Sequence, residues 1–218
     1  MNHLTVFARP PLAGHVKSRL SPALPAALAA RLYDALLADT LAAALACGAD
    51  TRVVAWSEAG GDPALPAGFA AQAQSPGDLG ERLAHAFARA LARPGDAAVV
   101  VGSDCPGLRR DPLDAAFAAL ATHDAVIGPA RDGGYWLLGL KHVAPELFRD
   151  VPWSSGSVAA LTLERMAALG LRVARLETVA DMDTPDDLAA LVGDCARGTA
   201  NACGPRAREA LRDMGLLP

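Results

Sequence analysis

Long uninterrupted hydrophobic runs are what this chain most clearly lacks. Although 52% of its 218 residues are apolar, much of that fraction is alanine interrupted by Arg, Asp and Glu. No clean run reaches the roughly 18 residues that a membrane-spanning helix requires. Residues 1–8 lack the basic-then-apolar order of a secretory leader, so a cytoplasmic protein that does not bind membranes is expected. Cysteine is sparse too: Cys47, Cys105, Cys195 and Cys203 form no C-x-x-C and have no histidines spaced as co-ligands. That pattern suggests neither a zinc site nor a disulfide framework. Cys105, followed directly by Pro106 and without a neighbouring His, reads as a small buried filler. An excess of positive charge is also absent, the formal net charge being −4, which gives no support to nucleic-acid binding. Neither G-x-x-x-x-G-K-[ST] nor G-x-G-x-x-G occurs, so the two commonest phosphate-binding fingerprints are excluded.

The length fits one α/β domain with a substantial core. Residues 4–8 form a first short apolar run, and a leucine series at three-to-four spacing from Leu28 to Leu45 predicts a long helix opened by Pro25 and stopped at Gly48. T-R-V-V-A-W at 51–56 is a second strand. The next twenty or so residues, rich in Gly, Pro and Ala, read as a loop with a short strand near 69–72. Helices are expected after Gly77, over 112–121, 145–148 and 158–169, with strands at 97–101, near 126 and at 171–176. This alternation predicts βαβ units with right-handed crossovers and a mainly parallel sheet. Between Ile127 and the apolar run after Tyr135 there is no room for a helix, so the pattern changes there. The tail, residues 194–218, reads as a loop and a short helix at 206–214, part of the same domain as residues 1–193.

Four places carry candidate chemistry. The run A-A-V-V-V-G-S-D-C-P-G delivers Ser103 and Asp104 at the carboxyl end of a strand buried on both faces, where open α/β sheets hold ligands. Asp104 as a helix cap or an Asx-turn residue is the alternative. The loop R-P-P-L-A-G-H-V-K-S-R-L after the first strand gathers Arg9, Lys17 and Arg19 around Gly14, a cationic and flexible cradle suited to phosphates. A solvated basic loop is the alternative there. In D-M-D-T-P-D-D-L, Thr184 is a natural N-cap, Pro185 the first helical residue, and Asp186 and Asp187 suit the helix N-terminus. Asp181 and Asp183 lie outside that helix and share one face, where two carboxylates repel unless a cation joins them. Asp132-Gly133-Gly134 permits positive φ and close backbone approach, or is simply a tight turn.

Taken in order, F-A-R-P-P-L-A-G-H-V-K-S-R-L, G-D-L-G-E-R, V-V-G-S-D-C-P-G-L, G-P-A-R-D-G-G-Y-W-L-L-G-L, W-S-S-G-S-V and D-M-D-T-P-D-D-L resemble the nucleotide-diphospho-sugar transferase superfamily. Within it the chain is most similar to the bacterial guanylyltransferase-like and glycosyltransferase-like family DUF2064, over nearly all of its length to Leu191. V-K-S-R-L-S also resembles the 2-phospho-lactate guanylyltransferases. The first loop departs from the sugar nucleotidyltransferase pattern L-x-x-G-x-G-x-R, with fewer glycines and two prolines. The resemblance implies a three-layer α/β/α GT-A fold with a mixed, mainly parallel sheet. It implies Mg²⁺ or Mn²⁺ held by Asp104 and the Asp181 and Asp183 pair, and nucleotide phosphates on Arg9, Gly14, Lys17 and Arg19, with Ser103 beside them. Gly80 and Arg82 would border the base, and Asp132, Gly133 and Gly134 the acceptor. Lys17, Arg19 and Asp104 would carry the catalysis.

The expected activity is metal-dependent transfer from a nucleoside triphosphate or nucleotide sugar to a small-molecule acceptor, leaning to nucleotidyl transfer because the loop is so cationic. Glycosyl transfer, or nucleotide binding without catalysis, are the alternatives. A homodimer through a sheet edge or the tail is left open.

Overall fold

The computed structural model describes residues 1–57 and 64–218, so part of the loop expected after Trp56 lies outside the described residues. Among the described residues seven strands and six α-helices follow one another: β1 Asn2–Ala8, α1 Ala26–Ala46, β2 Thr51–Trp56, β3 Ala70–Ala73, α2 Leu79–Ala90, β4 Ala97–Gly102, α3 Arg110–Leu120, β5 Ala125–Pro129, β6 Tyr135–Leu140, α4 Val158–Ala168, β7 Val173–Arg175, α5 Pro185–Ala196 and α6 Pro205–Asp213. Residues Pro145–Phe148 form a 3₁₀ turn. Among the described residues no helix is long and apolar enough to cross a membrane.

The strands make one sheet in the order β3-β2-β1-β4-β6-β5-β7. All ladders are parallel except those of β6, which runs antiparallel to both β4 and β5. The change of pattern after Ile127 is therefore a β5–β6 hairpin whose second strand inserts into the middle of the sheet. Burial on both faces leaves no room for bulk at its crossing with β4 and β5. A Cβ at Gly139 would stand 2.6 Å from Val126 Cγ1 and 3.1 Å from Val99 Cγ2.

Strand alternation divides the core. Leu4 and Val6 of β1, with Val99 and Val101 of β4, face α1 and α3 and meet Tyr33, Leu37, Leu113 and Phe117. Val100, Ile127 and Leu138 face the other way, toward Phe87 of α2 and Met166 of α4. A third cluster joins Leu32 and Leu36 of α1 to Leu188 and Leu191 of α5 and Leu211 of α6, so the tail helix is packed rather than trailing. Each fully buried leucine contributes about 1.5–3 kcal/mol. The three clusters make a three-layer α/β/α sandwich.

The chain leaves β1 for β2 on one side, while β4 lies on the other. The carboxyl ends of β1 and β4 therefore splay apart, making the crevice where such sheets bind ligands. The strand order alone selects the loops that follow β1 and β4.

Candidate functional site

Those two loops meet at Lys17. Its Nζ lies 3.2 Å from Asp104 Oδ2 and 2.8 Å from Asp183 Oδ1, joining the loop after β1, the loop after β4 and the segment before α5. The Lys17 side chain is only 3% exposed, while the two aspartates are about half exposed at 45% and 46%. Burial works to lower the Lys17 pKa, but the charges and hydrogen bonds of Asp104 and Asp183 outweigh it and raise it. The ammonium is therefore held charged inside the protein. Lys17 has φ 50° and ψ 34°, a left-handed backbone that costs of order 1–3 kcal/mol in a non-glycine residue and gathers at functional positions.

A hydrogen-bonded chain supports the Asp104 loop from behind. The Arg9 backbone N–H donates to the Tyr33 hydroxyl at 2.8 Å, and Tyr33 and Ser103 share a hydrogen bond of 2.8 Å. The Ser103 hydroxyl in turn donates to Asp104 Oδ1 at 3.5 Å. Burial, and then the charge of Asp104, raise the Tyr33 pKa and keep it a neutral donor. Tyr33 is absent from the sequence-based set because it sits inside the leucine pattern of α1, where an aromatic reads as core. Asp104 does not cap α3, whose N-cap is Arg109; its partners are Lys17 and Ser103.

Asp181 and Asp183 both line a cleft of about 880 Å³, shared with Arg19 and Asp132, while Met182 between them is fully buried. The Cys105 thiol donates to Asp181 Oδ1 at 3.5 Å, so this buried cysteine also touches the site. Burial, and then the charges of Asp132 and Asp104, push Asp181 up to about 7 despite that hydrogen bond. Thr184 and Asp187 form the capping box at the start of α5. Asp187 also accepts from the Asp183 backbone N–H at 3.1 Å, fixing the approach of Asp183 to Lys17.

The remaining sequence-derived residues lie around this centre or apart from it. Gly14, at φ 83°, has open space where a Cβ would point. Asp132 accepts from the Gly134 N–H at 2.8 Å in a tight turn. Gly133 is pressed so closely on Gly156 that a Cβ would lie 2.0 Å from its carbonyl oxygen. Gly80 is buried against the Phe148 carbonyl and the Trp153 ring. Arg82 binds the Gly77 carbonyl at 3.0 Å and Gln74 at 3.3 Å, on a separate groove of about 150 Å³ beside α2. Neither Gly80 nor Arg82 is joined to the Lys17 cluster.

The carboxylates of Asp104, Asp181 and Asp183 are hard oxygen donors of the kind Mg²⁺ and Mn²⁺ prefer, and an ammonium already stands between two of them. Among the described residues no three such side chains converge as a complete metal cage. Magnesium commonly takes only one or two carboxylates, with water and substrate phosphates completing the shell. The donor set fits such an ion.

A family model described as an uncharacterized protein conserved in bacteria (DUF2064) matches residues 28–155, a span that contains Asp104. The 3-phospho-D-glycerate guanylyltransferase of Phenylobacterium zucineum (strain HLK1) is 32% identical over 210 residues, covering 91% of this chain and 90% of that protein. A crystal structure from Desulfovibrio desulfuricans G20, described as a proposed nucleotide-diphospho-sugar transferase, matches with TM-score 0.88 and 29% identity over 99% of this chain and 96% of that one. A cytidylyltransferase from Leptospira borgpetersenii serovar Hardjo-bovis (strain JB197), 13% identical, shares the fold at TM-score 0.56 over 99% of this chain and 96% of its own. The protein is an enzyme of the transferase class, of the nucleotide-diphospho-sugar transferase type. Its sheet, its order of motifs and these relatives agree: the chain belongs to the bacterial DUF2064 family, within the nucleotide-diphospho-sugar transferase superfamily.

Proposed function

We propose that the protein is a metal-dependent nucleotidyltransferase that moves a nucleoside monophosphate from a nucleoside triphosphate onto a small phosphorylated acceptor. The observation that carries this reading is the buried Lys17 ammonium clamped between Asp104 and Asp183 at the sheet's switch point. In the reaction an acceptor phosphate oxygen bonds to the α-phosphorus, the bond from that phosphorus to the bridging oxygen breaks, and diphosphate leaves with the electron pair. A phosphate monoester is already largely ionised at neutral pH, with a second pKa near about 6, so no general base is needed. Lys17, with Arg9 and Arg19 on the same loop, neutralises charge on the departing diphosphate. Gly14 lets the backbone approach, Ser103 steadies Asp104, and Asp132 with Gly133 and Gly134 borders the acceptor. Gly80 and Arg82 remain the candidates for the base.

Mg²⁺ or Mn²⁺ would be held by Asp104 and Asp183, with Asp181 beside them, and would supply charge neutralisation on the phosphate oxygens. The named guanylyltransferase relative makes GTP and 3-phospho-D-glycerate the first pair to try. The test is incubation with each nucleoside triphosphate, Mg²⁺ and a panel of phosphorylated acceptors, reading diphosphate release. Equimolar diphosphate and nucleotidylated acceptor are expected, with Asp104→Asn slower by about 100-fold or more. The Desulfovibrio structure's description favours a second reading, glycosyl transfer. Release of nucleoside diphosphate from a nucleotide sugar, with no diphosphate from any triphosphate, would establish that reading instead.

A further inference from the structure

The sequence spacing of the cysteines suggests no disulfide, yet the fold brings two of them together. Cys195 Sγ, in the last turn of α5, lies 3.0 Å from Cys203 Sγ, just before α6. A bonded pair is about 2.05 Å apart, so closure needs about 1 Å of movement. Both sulfurs are free thiols here, Cys195 buried and Cys203 partly exposed.

The segment they bracket is a wall of the cleft. Thr199, Ala200, Asn201 and Ala202 line it together with Asp181 and Asp183. The Gly204 N–H donates to the Pro106 carbonyl at 3.0 Å, and a Cβ on Gly107 would stand 2.7 Å from the Asn201 carbonyl oxygen. This strap therefore leans directly on the loop that carries Asp104.

We propose that Cys195 and Cys203 are a reversible disulfide site that locks the strap against the Asp104 loop. A low-molecular-weight disulfide such as oxidised glutathione supplies the oxidising equivalents. The more exposed Cys203 attacks it as a thiolate, forming a mixed disulfide and releasing one reduced glutathione. Cys195 then attacks the Cys203 sulfur, forming the internal bond and releasing the second. Two protein thiols are oxidised and one glutathione disulfide is reduced to two thiols. Burial, and then the neighbouring Cys195, push the Cys203 thiol up to about 12, so the exchange is run at mildly alkaline pH, where more thiolate is present, and the bond is reopened by added thiol.

The test oxidises the whole protein with excess oxidised glutathione, alkylates it after unfolding, and digests it with trypsin. Arg197 lies between the two cysteines, so cleavage there leaves their peptides joined only by the disulfide. The expected result is a linked pair lighter by two hydrogens, with Cys47 and Cys105 alkylated. The unfolding midpoint should rise by about 5–10 °C and return on reduction. Cys203→Ser should unfold like the reduced wild type and gain nothing from oxidation. Four alkylated thiols, a glutathione adduct that never resolves, or a different linked pair would overturn the site. A correct link without a raised midpoint would overturn the locking.

Discussion

Asp181 illustrates how much a single residue's environment departs from its side chain's ordinary chemistry. It sits near Asp132 and Asp104, partly buried, and its carboxyl is pushed up to about 7. A carboxyl whose pKa rises on folding binds more protons in the folded than in the unfolded state between the two values. Stability therefore falls as pH rises from about 4 to about 7. Asp181→Asn, which keeps the shape and removes the titration, should flatten that decline and unfold later than wild type at pH 8. Denaturant midpoints from pH 4 to 8 with a chelator present check this, and an unchanged slope would show that another group titrates. At this scale the sequence was informative about charged residues next to strand ends. Asp104 comes just after a five-residue apolar run closed by Gly102 and Ser103, and Lys17 sits in a basic loop directly after the first strand. Tyr33 reads as core and Cys105 as a small filler, because residues in a core pattern show nothing of the polar atoms at their tips.

Among elements, the packing of α6 is the least legible and the most consequential for the cleft. Its N-terminus is capped across the chain by Asp39 of α1, whose carboxylate accepts from the Arg206 and Ala207 N–H groups at 3.1 and 2.9 Å. A cap supplied from 167 residues away leaves no local signature, so the tail reads as a loop and a helix without a partner. Gly204 is equally specific: a Cβ there would lie 2.3 Å from Asp39 Oδ2. Asp39→Ala should cost about 1–2 kcal/mol and lower the unfolding midpoint by about 2–8 °C, read by thermal unfolding under reducing conditions. A change within about 1 °C would mean that α6 is held by its apolar face alone. By contrast, α5 was readable because its capping box is local, with Thr184, Pro185 and Asp187 adjacent in sequence. β7 is only three residues long, shorter than the strand expected at 171–176, and it pairs at the sheet edge with β5 alone.

For the whole molecule, the sheet's strand order converts sequence distance into a site. Lys17 and Asp183 are 166 residues apart; the pairing of β1 with β4 sets the loops of Lys17 and Asp104 side by side, and the segment before α5 brings Asp183 to them. The sequence could indicate strands and helices in turn, since their periods are local. It could not show that β6 inserts between β4 and β5, since an antiparallel insertion depends on pairings that no local pattern encodes. The cluster at Lys17 therefore makes a prediction that belongs to the assembled fold. A nucleoside triphosphate with Mg²⁺ at about 100 times its dissociation constant should stabilise the protein by about 2.7 kcal/mol, a midpoint shift of about 5–10 °C at this size. Lys17→Met keeps an apolar stem of similar reach in the buried position but removes the ammonium, leaving Asp104 and Asp183 facing one another across its place. The triphosphate-dependent shift should then largely disappear, while any shift caused by the nucleoside alone is retained. If both shifts fall equally, Lys17 holds the crevice together rather than binding phosphate, and the phosphate load passes to Arg9 and Arg19.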